Sequence, residues 1–157
     1  MKKTAIALGL IAATLAPGAM AQGTQPLMFG GKGVIQKPHG SSNDAGFGIG
    51  VMLGQPIQGN LSWEAELVLG VVDGEVGNNR DWNINSAAGY AVYRSAGDVH
   101  VKAKMGVSYW DDDFDDDINL TAGIGLGFRM GSGILDVEYT QINPRVDYIS
   151  VGYILPF

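Results

Sequence analysis

The chain contains no cysteine. Disulfides and thiolate metal sites are therefore excluded, even in an oxidising compartment. Basic residues are scarce, with 10 Lys and Arg against 16 Asp and Glu. That deficit argues against nucleic acid as a partner, because phosphate backbones demand a basic footprint. After the first 21 residues no stretch approaches the ~18 consecutive apolar residues of a membrane helix. A phosphate loop and an HExxH metal motif are also missing. The run Gly123-Ile124-Gly125-Leu126-Gly127 lacks the strand-to-helix setting of a dinucleotide site. Glycine, by contrast, is abundant at 24 residues, without a collagen period, and 46% of the chain is apolar. Such a composition packs; it does not stay disordered.

The N-terminus reads as a secretory signal peptide. Lys2 and Lys3 precede an apolar run from Ala5 to Ala16, too short to span a bilayer, and Ala19-Met20-Ala21 forms a small-x-small cleavage site. Residues 1–21 are thus expected to be removed, leaving one domain over 22–157. Without Lys2 and Lys3 that domain holds 8 basic and 16 acidic residues, a formal charge of −8. A mature chain that meets a membrane with no apolar helix must do so as a closed barrel, since lipid cannot satisfy open strand edges.

Eight strand-like runs follow, at about 28–36, 44–54, 61–72, 82–93, 98–110, 118–130, 133–141 and 146–157. Nearly all reach the ~9–11 residues that a membrane strand needs, and their even number suits a bacterial barrel. Alternation with period two is plain in most. Phe47, Ile49, Val51 and Leu53 share one face; so do Leu61, Trp63, Ala65, Leu67, Leu69 and Val71. The last run sets Ile149, Val151, Tyr153, Leu155 and Phe157 against Tyr148, Ser150 and Gly152. In the fourth run Trp82, Ile84, Ala88, Tyr90 and Val92 are assigned to the lipid face. Short connections (55–60, 95–97, 130–132) alternate with more polar ones (37–43, 73–81, 110–117, 142–147), as periplasmic turns alternate with external loops. Trp63, Trp82, Tyr109, Trp110, Phe128, Tyr139 and Phe157 stand near strand ends, where aromatic girdles belong. A soluble barrel or sandwich would share the alternation but turn its apolar face inward.

The signal, the eight runs and the endings LDVEYTQ (Leu135–Gln141) and YISVGYILPF (Tyr148–Phe157) resemble the small eight-stranded outer-membrane barrels. These comprise the OmpA transmembrane domain, the OmpX/Ail group and the opacity-type proteins. The resemblance implies an all-β fold, an eight-stranded antiparallel up-and-down transmembrane β-barrel in the bacterial outer membrane. It implies lipid and lipopolysaccharide as surroundings, a monomer, and no cofactor. Tyr153, Leu155 and Phe157 resemble the C-terminal signal read by the barrel-assembly machinery. Pro156 departs from the usual ending and removes one ladder donor, which an edge position tolerates.

The inner faces carry charge. Lys32, Glu64, Glu66, Lys102, Lys104, Arg129, Asp136 and Glu138 make four basic and four acidic groups, with His100 beside them. Gly46, Gly48, Gly50 and Gly54 line the second run, and Gly123, Gly125 and Gly127 the sixth. Strands two apart lie about 10 Å from each other, and missing side chains between them leave room to cross. Lys102 and Lys104 are therefore expected to reach Asp136 and Glu138, and Lys32 to reach Glu64 or Glu66. Eight strands enclose only enough space for side chains, and buried charges are costly unless paired. The eight charges thus read as a neutral internal plug.

Two further clusters remain. Asp111, Asp112, Asp113, Asp115, Asp116 and Asp117 surround Phe114 in the third external loop. Six carboxylates could bind calcium, but the EF-hand spacing is absent, and a solvated, self-repelling loop is the simpler reading. His39 lies beside Ser41 and Ser42. Lipid A-modifying barrels use His and Ser, yet no nucleophile, base and orienting group are spaced as such a site requires. The chain therefore reads as a non-enzymatic barrel with a structural or surface-interaction role. The alternative is a narrow porin-like conduit for ions or very small solutes; a lipid A-modifying enzyme ranks third.

Overall fold

The computed structural model describes residues 26–39, 44–76, 80–82, 84–111 and 116–157. The signal segment, Ser41 and Ser42 lie outside them, as do Asp112, Asp113 and Asp115. Among the described residues ten strands are present: β1 (Met28–Pro38), β2 (Gly46–Gln58), β3 (Leu61–Val72), β4 (Gly74–Val76), β5 (Arg80–Trp82), β6 (Asn85–Arg94), β7 (Val99–Asp111), β8 (Asp116–Met130), β9 (Gly133–Asn143) and β10 (Val146–Pro156). Eight of them close a barrel in the order β1-β2-β3-β6-β7-β8-β9-β10. All neighbours are antiparallel, and β10 returns to β1 with Met28 opposite Pro156 and Val34 opposite Ser150. Phe157 N–H donates to the Leu27 carbonyl at 2.8 Å, which extends that seam by one bond. The expected eight-stranded barrel is thus the observed one. The polar stretch 73–81 adds something the alternation did not announce, the small hairpin β4–β5 standing at the barrel's end.

Tight turns hold one end. Gly59–Asn60 and Gly131–Ser132 join β2 to β3 and β8 to β9, and Gly59 and Gly131 have φ of 56° and 62°. That left-handed region is costly for residues with a Cβ, so glycine suits these positions. Both described chain ends lie at this short-turn end. At the opposite end, the connection between β9 and β10 contracts to Pro144–Arg145, shorter than the stretch 142–147 suggested.

Burial follows the period of two. Outward residues such as Ile49, Leu69, Val101, Ile124 and Val151 are exposed, while their neighbours turn inward. The barrel is therefore inside out relative to a soluble domain: its apolar face is the outer one. The stretch from Trp82 at the end of β5 through β6 reverses the expectation. Trp82, Ile84, Ala88, Tyr90 and Val92 are all buried, and Ala87, Ala91 and Tyr93 face out. Both faces of this strand are apolar, so hydrophobicity could not choose between them. Trp82 and Trp110 accordingly leave the aromatic girdle and enter the lumen.

The lumen is layered. At the long-loop end Val34, Val68, Trp82, Ile84, Trp110, Ile142, Val146 and Tyr148 form an apolar cluster. Gln36 spans it, donating to the Ile84 carbonyl at 2.7 Å and accepting from Ile84 N–H at 3.3 Å. Tyr148 Oη donates to Ser86 Oγ at 3.2 Å. These bonds satisfy polar atoms that would otherwise be buried without partners. Met28, Met52 and Ile154 form a smaller apolar cluster toward the short-turn end. Charge lies between the two.

Candidate functional site

The charged layer is assembled from alternate strands. Lys32 stands on β1, Glu64 and Glu66 on β3, Lys102 and Lys104 on β7, and Asp136 and Glu138 on β9. Sign therefore alternates around the ring: positive, negative, positive, negative. The strands between contribute glycine or modest side chains. Gly125 is level with Lys102 on one side and Glu138 on the other; Gly50 and Gly152 both flank Lys32. A Cβ on Gly50 would meet Lys32 Cγ at 3.2 Å, one on Gly123 Lys104 Cε at 3.0 Å, and one on Gly125 Glu138 Cγ at 3.1 Å. Long side chains thus lie across the glycine strands, as the sequence pattern proposed.

The contacts close a continuous network. Lys32 Nζ is 2.7 Å from Glu66 Oε2 and 3.9 Å from Glu138 Oε2. Lys104 Nζ lies between Glu66 Oε1 at 2.8 Å and Glu138 Oε2 at 2.7 Å. It also stands 4.3 Å from the centre of the Tyr90 ring, a cation–π distance. Lys102 Nζ reaches Glu64 Oε2 at 2.9 Å and Asp136 Oδ2 at 3.1 Å, and also bonds Glu138. Lys102 is 1% exposed and Glu64 1%. At such burial each charge depends on its partners, because removing one leaves the other desolvated and uncompensated.

Two positions differ from the sequence reading. Arg129 does not join the network. It has inward parity but ends β8 at the rim, where its side chain is 65% exposed and its Nε is 3.3 Å from Asp98 Oδ1. Water reaches it there, so nothing compels it to pair inside. Arg94 takes the fourth basic place: its guanidinium bonds Glu64, and Nη1 donates to Ser62 Oγ at 2.8 Å. Arg94 was missed because the fourth run was ended at residue 93 with its faces reversed. Its signal was its shared parity with Tyr90 and Val92. His100 sits over Gly127, with Nε2 4.0 Å from Asp136 Oδ1.

Glu64, Glu66 and Glu138 bring carboxylate oxygens within 4.8 Å of one another, a grouping that could hold a metal ion. The Lys102 and Lys104 ammonium groups already occupy the space between them, so the donor set is neutralised by lysine. One void in this layer, between Lys32, Glu66, Asp136 and Glu138, measures about 10 Å³, about enough for one water.

At the long-loop end Asp111 and Asp117 are exposed and near each other, since Trp110 pairs with Asp117 and Asp111 with Asp116. Asp117 Oδ1 accepts from Ile118 N–H at 2.8 Å, an ordinary local bond. His39 Nε2 lies 2.9 Å from Asp147 Oδ2, which ties the end of β1 to β10. Tyr153, Leu155 and Phe157 all face outward, and Tyr153 Oη donates to the Met130 carbonyl at 2.8 Å.

The sequence profile of the outer membrane protein β-barrel domain matches residues 5–150, nearly the whole chain. The chain belongs to that family. Solved barrel structures also match it in shape. Neisserial surface protein A superposes with a TM-score of 0.70 at 16% identity, over 87% of this chain and 100% of the other. Ail of Yersinia pestis, solved in complex with the heparin analogue sucrose octasulfate, gives 0.56 at 14% identity, over 85% and 97%. A de novo designed transmembrane β-barrel gives 0.57 at 20% identity, over 88% and 100%. These identities are low, so what is shared is the fold. No curated protein matches the chain in sequence. Family membership makes this an outer-membrane barrel, with the outward apolar band meeting lipid.

Proposed function

We propose that this barrel is a non-enzymatic component of the outer membrane, with a structural or surface-interaction role, its lumen closed by side chains. The observation that carries this reading is the charged layer: Lys32, Arg94, Lys102 and Lys104 are matched by Glu64, Glu66, Asp136 and Glu138 across the whole lumen. A catalytic reading finds less support, since the His39–Asp147 pair is accounted for as a tie between the end of β1 and β10. In this reading the N-terminal segment directs export and is removed. The short-turn end faces the periplasm, and Tyr153, Leu155 and Phe157 serve assembly.

The external surface is acidic. In the sequence the long-loop stretches hold Asp44, Asp73, Glu75, Asp81, Asp111 to Asp113, Asp115 to Asp117 and Asp147 against Lys37, His39, Arg80 and Arg145. Partners at that surface are therefore cationic, or lipopolysaccharide bridged by divalent ions; a polysulfated ligand such as that in the Ail complex is disfavoured electrostatically. Planar-bilayer recording tests the closed lumen. Wild-type protein should insert and pass no steady current. A stable ohmic conductance from the unmodified barrel would replace this reading with that of a narrow conduit.

A further inference from the structure

Strand β8 outruns its neighbour on one side. With β7 it stays paired to the hairpin tip, where Asp111 lies opposite Asp116. Its ladder with β9 stops earlier, at Ala122 opposite Gln141. The cause is a bulge in β9: Gln141 pairs with Asp147 and Asn143 with Val146, so Ile142 is extra. Ile142 and Asn143 are both buried, and the Ile142 carbonyl accepts from Ser108 Oγ at 2.8 Å. Among the described residues, 116–121 are thus left without a partner strand on the β9 side.

Register shows which backbone groups face that gap. Arg129 N–H donates to the Asp98 carbonyl, on the β7 side, at 2.7 Å. Odd-numbered residues of β8 therefore bond β7, and even-numbered ones face β9. Ile118 and Leu120 aim their N–H and C=O groups into the gap. Asp117 Oδ1 covers the Ile118 N–H, and Leu120 is 84% exposed. Strand β3 also outruns its neighbour, beyond Val68 opposite Ser86, but there the Gly70 N–H donates to Asn85 Oδ1 at 3.2 Å. An edge left open can accept a further strand.

We propose that the β8 edge is a docking site for an extended cationic segment of another polypeptide, added to the sheet as a strand. This rests on the surface-interaction reading and names its partner. Apolar side chains of the added strand continue the outer face of Ile118 and Leu120, and basic ones stand opposite Asp117. Six aspartates at the hairpin tip, Asp111 to Asp113 and Asp115 to Asp117, supply the complementary charge. A second copy of this chain fits less well: two barrels upright in one membrane tilt their β8 strands alike, so the edges cross.

The probe is a short fluorescent peptide of alternating lysine and valine, titrated by anisotropy into protein refolded in phosphatidylcholine nanodiscs. Saturable binding is expected, and empty nanodiscs should bind none. Backbone N-methylation of the valines keeps charge and apolarity but removes the strand hydrogen bonds, and should weaken binding about tenfold. Leu120→Pro deletes an N–H that points away from β7 and should weaken binding by a similar factor; Leu120→Val, which keeps it, should bind as wild type. Asp117→Asn should weaken binding and flatten its salt dependence. No saturable binding, or equal binding to empty nanodiscs, overturns the proposal. So does binding that either the N-methylation or Leu120→Pro leaves intact, or equal binding of a glutamate–valine peptide. The methylated peptide uses wild-type protein, so the test holds even where the proline variant misfolds. Conductance tests the closed lumen separately, and the two readings fail independently.

Discussion

Glycines in this barrel fall into two physical classes, and substitution should separate them. Gly106 faces inward on β7, where a Cβ would overlap the carbonyl oxygen of Gly89 on the neighbouring strand. Backbone cannot yield as a flexible side chain can, so Gly106→Ala should destabilise the folded barrel by about 3 kcal/mol. Gly31 faces lipid, and its Cβ would find nothing closer than the Gly50 carbonyl oxygen at 4.0 Å. Gly31→Ala should stay within about 0.5 kcal/mol of wild type. Urea titration of refolded protein, followed by tryptophan fluorescence, reads both. Charges divide in the same way. Lys102→Met leaves Glu64, Asp136 and Glu138 with one cation fewer at the barrel's centre, and the cost should be about 3–5 kcal/mol. Arg129→Gln removes an ion pair in open water and should cost under about 1 kcal/mol. Equal effects from these two would show that the inner network contributes nothing beyond surface charge.

Strands were legible where their two faces differ in polarity. In β3, Trp63, Ala65 and Leu67 alternate with Glu64 and Glu66, and in β7 Val101, Ala103 and Met105 alternate with Lys102 and Lys104; register follows from that contrast alone. The crossing of lysines over the glycine strands was legible for the same reason, since period, spacing and strand separation suffice to place them. In β6 the contrast vanishes. Ala87, Gly89 and Ala91 on one face are as apolar as Ala88, Tyr90 and Val92 on the other, and the lumen accepts Tyr90 because Gly106 is opposite it. Arg94 was lost with that strand's parity, and Arg129 was gained because parity cannot show how far the rim lies from water. The short β4–β5 hairpin depends on contacts with the barrel end, Asp44 N–H to the Glu75 carbonyl at 2.7 Å among them, which local sequence does not encode. Tryptophan placement tests the corrected faces. In single-tryptophan variants with brominated acyl chains, Trp63 should be quenched, while Trp82 and Trp110, inside the lumen, should not.

Across the whole molecule the proposed closure of the lumen rests on two chemically different layers. The ionic layer from Lys32 to Glu138 encloses a void of about 10 Å³, and the apolar layer around Trp82, Trp110 and Tyr148 stands between it and the long-loop end. A charge at the inner layer is stabilised by its partners; an ion at the outer layer would find apolar walls, where a lone charge is very costly. The layers therefore act in series, and either alone should block current. Lys104→Ala unbalances Glu66 and Glu138 and should lower the urea midpoint, yet the barrel should stay silent in a planar bilayer because the tryptophan layer is intact. The double variant Trp82→Ala/Trp110→Ala empties the outer layer and should also stay silent, because the lysines and carboxylates remain paired. Combining all three substitutions should give discrete openings that favour cations, since loss of Lys104 leaves the inner layer net negative. Steady current from Lys104→Ala alone would show that the aromatic layer is no barrier. Silence of the triple variant, in protein shown to be folded by its resistance to unfolding in cold detergent, would show that the two layers are not what closes the barrel.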